Sequence, residues 1–252
     1  MTTHRARGHR LSTVFACAAA AALALVAGDP GVMAAGTQRV TLRTDDGATL
    51  AAMWYEPSSR PAPAVILVHM LHRSRRDWDA FAHRMAGEGI GALAIDLRGH
   101  GDSQRYGTPA TSPESGYSPM VLDVKAARRY LASRTDVLQS RVGIAGASLG
   151  ANVAVLAAAA DETVISLALL SPTLEYRGLR IEQIVKKITR PVLLVAASDD
   201  SYASRSARDL HKGGGGPREL LVLEQAGHGT TMLSRDENLA RTLVDWFRRT
   251  LL

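Results

Sequence analysis

Residues 142–160 read Val-Gly-Ile-Ala-Gly-Ala-Ser-Leu-Gly-Ala-Asn-Val-Ala-Val-Leu-Ala-Ala-Ala-Ala, and the reading of this stretch decides the fold. Val142 to Ala145 is a short apolar run, Asn152 to Ala160 is an alanine-rich helical stretch, and Gly146-Ala147-Ser148-Leu149-Gly150 joins the two. A strand that passes straight into a helix through so tight a turn brings the two elements very close. Side chains two positions either side of Ser148 would then collide, which accounts for glycine at both places. The turn lifts the Ser148 hydroxyl out of the sheet and aims a helix N-terminus at it. This GxSxG pattern in a strand-turn-helix setting is a nucleophile elbow.

Working outward, short apolar runs alternate with longer amphipathic stretches. Thr37 to Thr44 and Ala48 to Tyr55 flank the turn signal Asp45-Asp46-Gly47 and predict an antiparallel hairpin. Continuous apolar runs at Ala64 to Val68, Gly91 to Ile95, Val142 to Ala145, Ile165 to Leu170, Val192 to Ala196 and Leu220 to Leu223 predict strands buried on both faces. Helical stripes fall at Trp78, Phe81, Ala82 and Met85, at Val121, Val124, Ala127 and Leu131, along Asn152 to Ala160, and at Leu239, Leu243, Trp246 and Phe247. Strands alternating with helices predict an α/β fold whose mostly parallel sheet is covered on both faces, with right-handed crossovers and a site at the carboxyl ends of the strands. Ser103 to Ser118 reads as a loop, and Lys212 to Pro217, with four consecutive glycines, as a helix-ending linker.

The chain has 252 residues, and its 30 Lys plus Arg against 24 Asp plus Glu leave it at +6. Part of that excess sits at the start. The first 28 residues contain no acid, and Arg5, Arg7 and Arg10 precede a largely apolar run from Leu11 to Ala27, followed by small residues up to Gly36. That layout predicts a signal peptide over residues 1–36, cleaved between 28 and 36, and a secreted or periplasmic domain over 37–252; an uncleaved membrane anchor is the alternative. Cleavage would leave 27 cations against 23 acids and would remove Cys17, the only cysteine. The remaining arginines, among them Arg73, Arg75, Arg76, Arg128, Arg129, Arg248 and Arg249, lie scattered without interleaved aromatics, so no nucleic-acid partner is expected. A single cysteine excludes an internal disulfide framework and a cysteine-based metal cluster. His69 and His72 lack a third clustered ligand, so no metal is expected either.

A serine hydroxyl needs a base to take its proton and an acid to orient that base. His228, in Ala226-Gly227-His228-Gly229 just after the last predicted strand, is the candidate base; His69, His72 and His100 compete with it. Asp199 and Asp200 follow the strand Val192 to Ala196. The order Ser148, acid, His228 is the order of one hydrolase architecture.

With these residues in hand, the chain resembles the α/β-hydrolase superfamily over essentially all of 37–252, and within it the small lidless serine hydrolases of esterase or dienelactone-hydrolase type. Asp96-Leu97-Arg98-Gly99-His100-Gly101-Asp102-Ser103 is similar to the stretch after the fourth strand in many members. The resemblance implies Asp200 as the acid, with Asp199 as runner-up. It also implies an oxyanion hole built from the Leu149 backbone N–H and that of Met70 or Leu71. Many relatives have His-Gly where this chain has His69-Met70, so the Met70 side chain is expected to narrow the acyl pocket or move the donor. Only 20 residues, Ser171 to Arg190, stand where many members insert a lid, with one short helix expected around Leu179 to Ile188. An open cleft for short-chain or exposed esters follows. The implied activity is a cofactor-free serine carboxylesterase acting on small-molecule esters. A peptidase, a thioesterase and a non-catalytic envelope or binding protein on the same scaffold are the alternatives. The dienelactone-hydrolase group itself characteristically has Cys in place of Ser148.

Overall fold

The computed structural model describes residues 1–3, 36–106 and 116–252. The chain divides into two units, Met1–Gly31 and Val32–Leu252, and every described helix and strand belongs to the second. The expected signal peptide falls almost wholly outside the described residues, as does most of the loop expected over Ser103 to Ser118; its first residues form a 3-10 turn, Gly101–Tyr106.

Eight strands form one sheet: β1 (Thr37–Arg43), β2 (Thr49–Tyr55), β3 (Ala62–Val68), β4 (Gly91–Ile95), β5 (Val137–Ala147), β6 (Val164–Leu170), β9 (Val192–Ala197) and β10 (Arg218–Leu223). A separate two-stranded ribbon, β7 (Glu175–Tyr176) with β8 (Leu179–Arg180), lies between β6 and β9 in the chain. The order across the main sheet is β1-β2-β4-β3-β5-β6-β9-β10. The β1–β2 hairpin turns where Asp45-Asp46-Gly47 predicts, with Gly47 at φ 86° and the Thr44 N–H donating to the Ala48 carbonyl. β2 runs antiparallel to β4, and every later neighbour is parallel.

Alternation along each strand divides the interior into two cores. Ala64, Ile66 and Val68 of β3 face one cluster, with residues of α2 (Met120–Ala132), α3 (Leu149–Ala160) and α5 (Ser201–Lys212). Val65 and Leu67 face the other, with α1 (Asp79–Gly87), the single turn α6 (Met232–Arg235) and α7 (Leu239–Leu251). The predicted stripes supply these contacts: Phe81, Ala82 and Met85 on α1, and Leu239, Leu243, Trp246 and Phe247 on α7, are buried. Phe247 lies so close to β5 that a Cβ on Gly143 would stand 2.8 Å from its ring. Two expectations need correction. β10 is half-exposed along Leu220 to Val222, because it is an edge strand with one sheet neighbour. The helix expected over Leu179 to Ile188 begins later, as α4 (Glu182–Lys187), since Leu179 and Arg180 are taken by β8.

The chain leaves β3 for β4 on one side and reaches β5 on the other, so the strand order reverses between β3 and β5. Crevices for ligands form at the carboxyl ends of strands at such a point.

Candidate active site

Six parallel strands end at this edge, and every site residue read from the sequence follows one of them closely. His69 to Leu71 follow β3, Ser148 follows β5, Asp199 and Asp200 follow β9, and His228 follows β10. Backbone hydrogen bonds carry the sheet past its strand ends: Ser148 N–H donates to the Leu170 carbonyl at 2.8 Å, Ser171 N–H to Val195 at 2.7 Å, and Ser198 N–H to Leu223 at 2.8 Å.

Ser148 has φ 52° and ψ −117°, a left-handed conformation that is costly for a residue with a side chain and that persists only where its surroundings impose it. The imposing groups are backbone. A Cβ on Gly146 would stand 2.3 Å from the Gly150 carbonyl oxygen, and one on Gly150 would stand 2.5 Å from the carbonyl oxygens of Val68 and His69. Gly150 therefore seats α3 directly on the end of β3. Leu149 opens α3, so its N–H is among those that a helix leaves without an internal acceptor. The side-chain oxygen of Ser148 takes no hydrogen-bond partner among the described residues, while the residue itself is only 9% exposed.

The imidazole of His228 is joined through Nδ1–H to Asp200 Oδ2 at 2.5 Å, which leaves Nε2 as the acceptor nitrogen. Asp200 caps α5 as well, Oδ1 accepting the Ala203 N–H at 3.3 Å, so the carboxylate is held from two sides. Asp199, the runner-up, instead accepts the Gly227 N–H at 3.0 Å. Next to His228, the Gly229 N–H donates to Ser171 Oγ at 2.9 Å, and the His228 N–H donates to Thr231 Oγ1 at 3.1 Å. Gly229 also locates this loop: a Cβ there would lie 3.7 Å from Ala147 Cβ and 2.6 Å from Met70 Sδ. The His228 loop thus packs against the residue before Ser148 and against the turn after β3.

The competing histidines have other partners. His69 is fully buried, donates from Nδ1 to the Met70 carbonyl at 2.7 Å, and accepts the Leu97 N–H on Nε2 at 3.0 Å. Burial pulls its pKa down to about 4, so the ring is neutral, and neither nitrogen is offered to a proton or a metal ion. His100 is also buried, bonds the Arg98 carbonyl through Nδ1, and has its pKa lowered by burial. His72 is exposed in the turn, at φ 61°. The Met70 carbonyl accepts from both His69 and the Arg73 N–H, at 3.2 Å in the latter case. Because the Met70–Leu71 peptide is trans, the Leu71 N–H points opposite to that carbonyl, away from the His69 ring.

The octapeptide after β4 is a scaffold. Asp96, fully buried, accepts the backbone N–H groups of Arg75 and Asp102 and pairs with the Arg75 guanidinium. Gly101, at φ 49°, has no room for a Cβ, which would fall 2.4 Å from the Asp96 carboxyl carbon. Arg98 pairs with buried Asp123 and with Asp46 of the β1–β2 turn. Sequence reasoning did not assign these pairings, nor Ser171 and Asn152. Asn152 alone carried a signal: it is the one amide in an alanine-rich helical stretch.

Sheet order, elbow and strand-end loops together give the chain the α/β-hydrolase fold. Residues 59–179 match the family model described as serine aminopeptidase, S33, a span that includes Ser148 and ends before Asp200. An uncharacterized protein of Mycobacterium tuberculosis is 28% identical over 233 residues, covering 84% of this chain and 78% of the relative. Among solved structures, a dienelactone hydrolase from Anabaena variabilis superposes with a TM-score of 0.71 at 18% identity, over 87% of this chain and 100% of the other. A Pyrococcus furiosus esterase gives 0.70 at 18%, over 89% and 96%. The α/β hydrolase GrgF of Penicillium gives 0.73 at 17%, over 86% and 99%. These likenesses support a hydrolase of the α/β fold.

Proposed function

We propose that the protein is a serine hydrolase that cleaves carboxylic esters through an acyl-enzyme, with Ser148 as nucleophile, His228 as general base and Asp200 as the acid that orients it. The observation that carries this reading is a strained Ser148, unpartnered among the described residues, at the same sheet edge as the bonded His228–Asp200 pair, whose loop packs at Gly229 against Ala147. With Nδ1–H held by Asp200, Nε2 of His228 is free to take the Ser148 proton as Oγ attacks the ester carbonyl. The carbonyl oxygen becomes an oxyanion, for which the Leu149 N–H and the N–H of Leu71 or Met70 are the donors. His228 then returns the proton to the departing alkoxide, which leaves as the alcohol. Water, deprotonated by the same nitrogen, attacks the acyl-enzyme and releases the acid, and the proton returns to Ser148.

No metal or cofactor takes part in this scheme, and the substrate is a small-molecule ester. The short β6-to-β9 connection supports short or exposed acyl groups. Residues 1–36 act as a signal peptide that sends the protein out of the cytoplasm; among the described residues no helix is long and apolar enough to cross a membrane. A second reading, an aminopeptidase, is favoured by the description of the matching family model. Hydrolysis of an aryl-ester chain-length series and of matched peptide amides decides between them. The esterase reading expects turnover of short aryl esters well above amides, and a loss of at least about 10³-fold in kcat in Ser148→Ala with the fold retained. A fully active Ser148→Ala variant contradicts the mechanism, and amides turned over faster than esters favour the aminopeptidase.

A further inference from the structure

His228 stands between two glycines in the left-handed region, Gly227 at φ 79° and Gly229 at φ 58°. Glycine populates that region without preferring it, so the local backbone does not by itself hold the imidazole in one place. The three consecutive N–H groups of this loop are instead taken by three side chains. Asp199 Oδ1 accepts Gly227 N–H at 3.0 Å, Thr231 Oγ1 accepts His228 N–H at 3.1 Å, and Ser171 Oγ accepts Gly229 N–H at 2.9 Å. Thr231 belongs to the same loop, whereas Asp199 and Ser171 reach in from the ends of β9 and β6. Ser198 adds a weaker rung, its Oγ accepting the Gln225 N–H at 3.2 Å.

Ser171 is the more unusual of the pair. It is fully buried, carries φ 49°, and sits at the end of the strand whose last carbonyl holds the Ser148 N–H. A non-glycine residue in that conformation is strained and persists where the surroundings over-determine it. Glycine would relieve the strain but would remove the acceptor for Gly229.

We propose that Ser171 and Asp199 are positioning residues for the base: by holding the N–H groups either side of His228, they fix the imidazole between Asp200 and Ser148. This rests on the reading of His228 as the general base. On it, Ser171 and Asp199 touch neither substrate nor reacting atoms, and they act through the placement of Nε2. A displacement of about 1 Å at a reacting group can cost about 10²-fold in rate.

The test compares wild type with Ser171→Ala, Asp199→Ala and Asp199→Asn in the full-length protein. It reads kcat and KM on a short aryl ester, the thermal midpoint, and the imidazole ¹⁵N resonances of His228, assigned by difference from His228→Gln. The expected result is a 10- to 100-fold fall in kcat in each alanine variant, with KM within about twofold, displaced His228 resonances, and recovery to within about threefold of wild type in Asp199→Asn, whose amide oxygen still accepts. Alanine variants with unchanged kcat and unchanged His228 resonances overturn the proposal, even if their thermal midpoints fall. If wild type turns over no ester while the alanine variants displace the resonances, the positioning role stands and the esterase reading fails.

Discussion

With Nδ1–H on the Met70 carbonyl and Nε2 accepting the Leu97 N–H, the His69 ring has no place for a second proton without losing a hydrogen bond. Its pKa of about 4 in the fold lies below the ordinary 6.5 of the unfolded chain. As the pH falls below 6.5 the unfolded state binds a proton that the native state refuses, so stability present above pH 6.5 is lost progressively toward pH 4. Between pH 7 and pH 5 the loss from His69 is about 2 kcal/mol. Urea unfolding at the two values checks this. His69→Gln, starting less stable, is expected to lose about 2 kcal/mol less than wild type between the two values. Equal losses in the two proteins contradict the assignment. The sequence shows His69 beside Met70, yet nothing in it reveals the bond to Leu97. That contact joins the ends of β3 and β4, which become neighbours only when the sheet forms.

At the scale of elements, α3 does more than present Ser148. Asn152, one turn in and fully buried, donates Nδ2–H to the carbonyls of Thr173 and Leu179, at 3.1 Å and 2.9 Å, and accepts the Thr173 N–H on Oδ1 at 3.2 Å. One amide thus anchors both ends of the segment that leaves β6 and forms the β7–β8 ribbon. Asn152→Ala would leave three buried backbone groups without partners, at about 1–3 kcal/mol for each group left unmade. Partial rewetting lowers the sum, and a loss near 3 kcal/mol is expected in equilibrium unfolding; a change below about 0.5 kcal/mol would refute the anchoring role. Elements with strong periodicity were legible in the sequence: the hairpin, the buried parallel strands, and the stripes on α1, α2 and α7. α5 was marked only by the glycines after it, because Ala203, Ala207 and Leu210 make a thin apolar face among Ser and Arg. The edge position of β10 was illegible for a different reason: its residues resemble those of central strands, and only the strand order leaves it one neighbour.

Across the whole molecule, the scattered arginines become a paired surface. Arg73 meets Asp77, Arg75 meets Asp96 and Asp102, Arg129 meets Asp45, and Arg248 and Arg249 meet Glu88 and Glu219. Most of these pairs are exposed and individually worth little. The buried ones tie the loop after β4 to two neighbours, Asp96 to Arg75 in the turn that precedes α1 and Arg98 to Asp123 of α2. The candidate site was legible to the extent that its residues follow strand ends in a fixed order, which is why Ser148, the Asp199–Asp200 pair and His228 could be named, the resemblance then favouring Asp200 of the two acids. The groups that hold them, Ser171 and Asp199 foremost, were not legible in that role, since a lone serine or aspartate after a strand looks the same whether it faces solvent or a backbone N–H. On the proposed reading, the fold assembles a serine set up to attack. The most direct measurement is reaction of the purified protein with a fluorophosphonate, followed by peptide mapping of the adduct. One label per chain on Ser148, absent in Ser148→Ala and slowed in His228→Gln, is the predicted result. No label, or a label on another residue with Ser148 unmodified, would contradict the account.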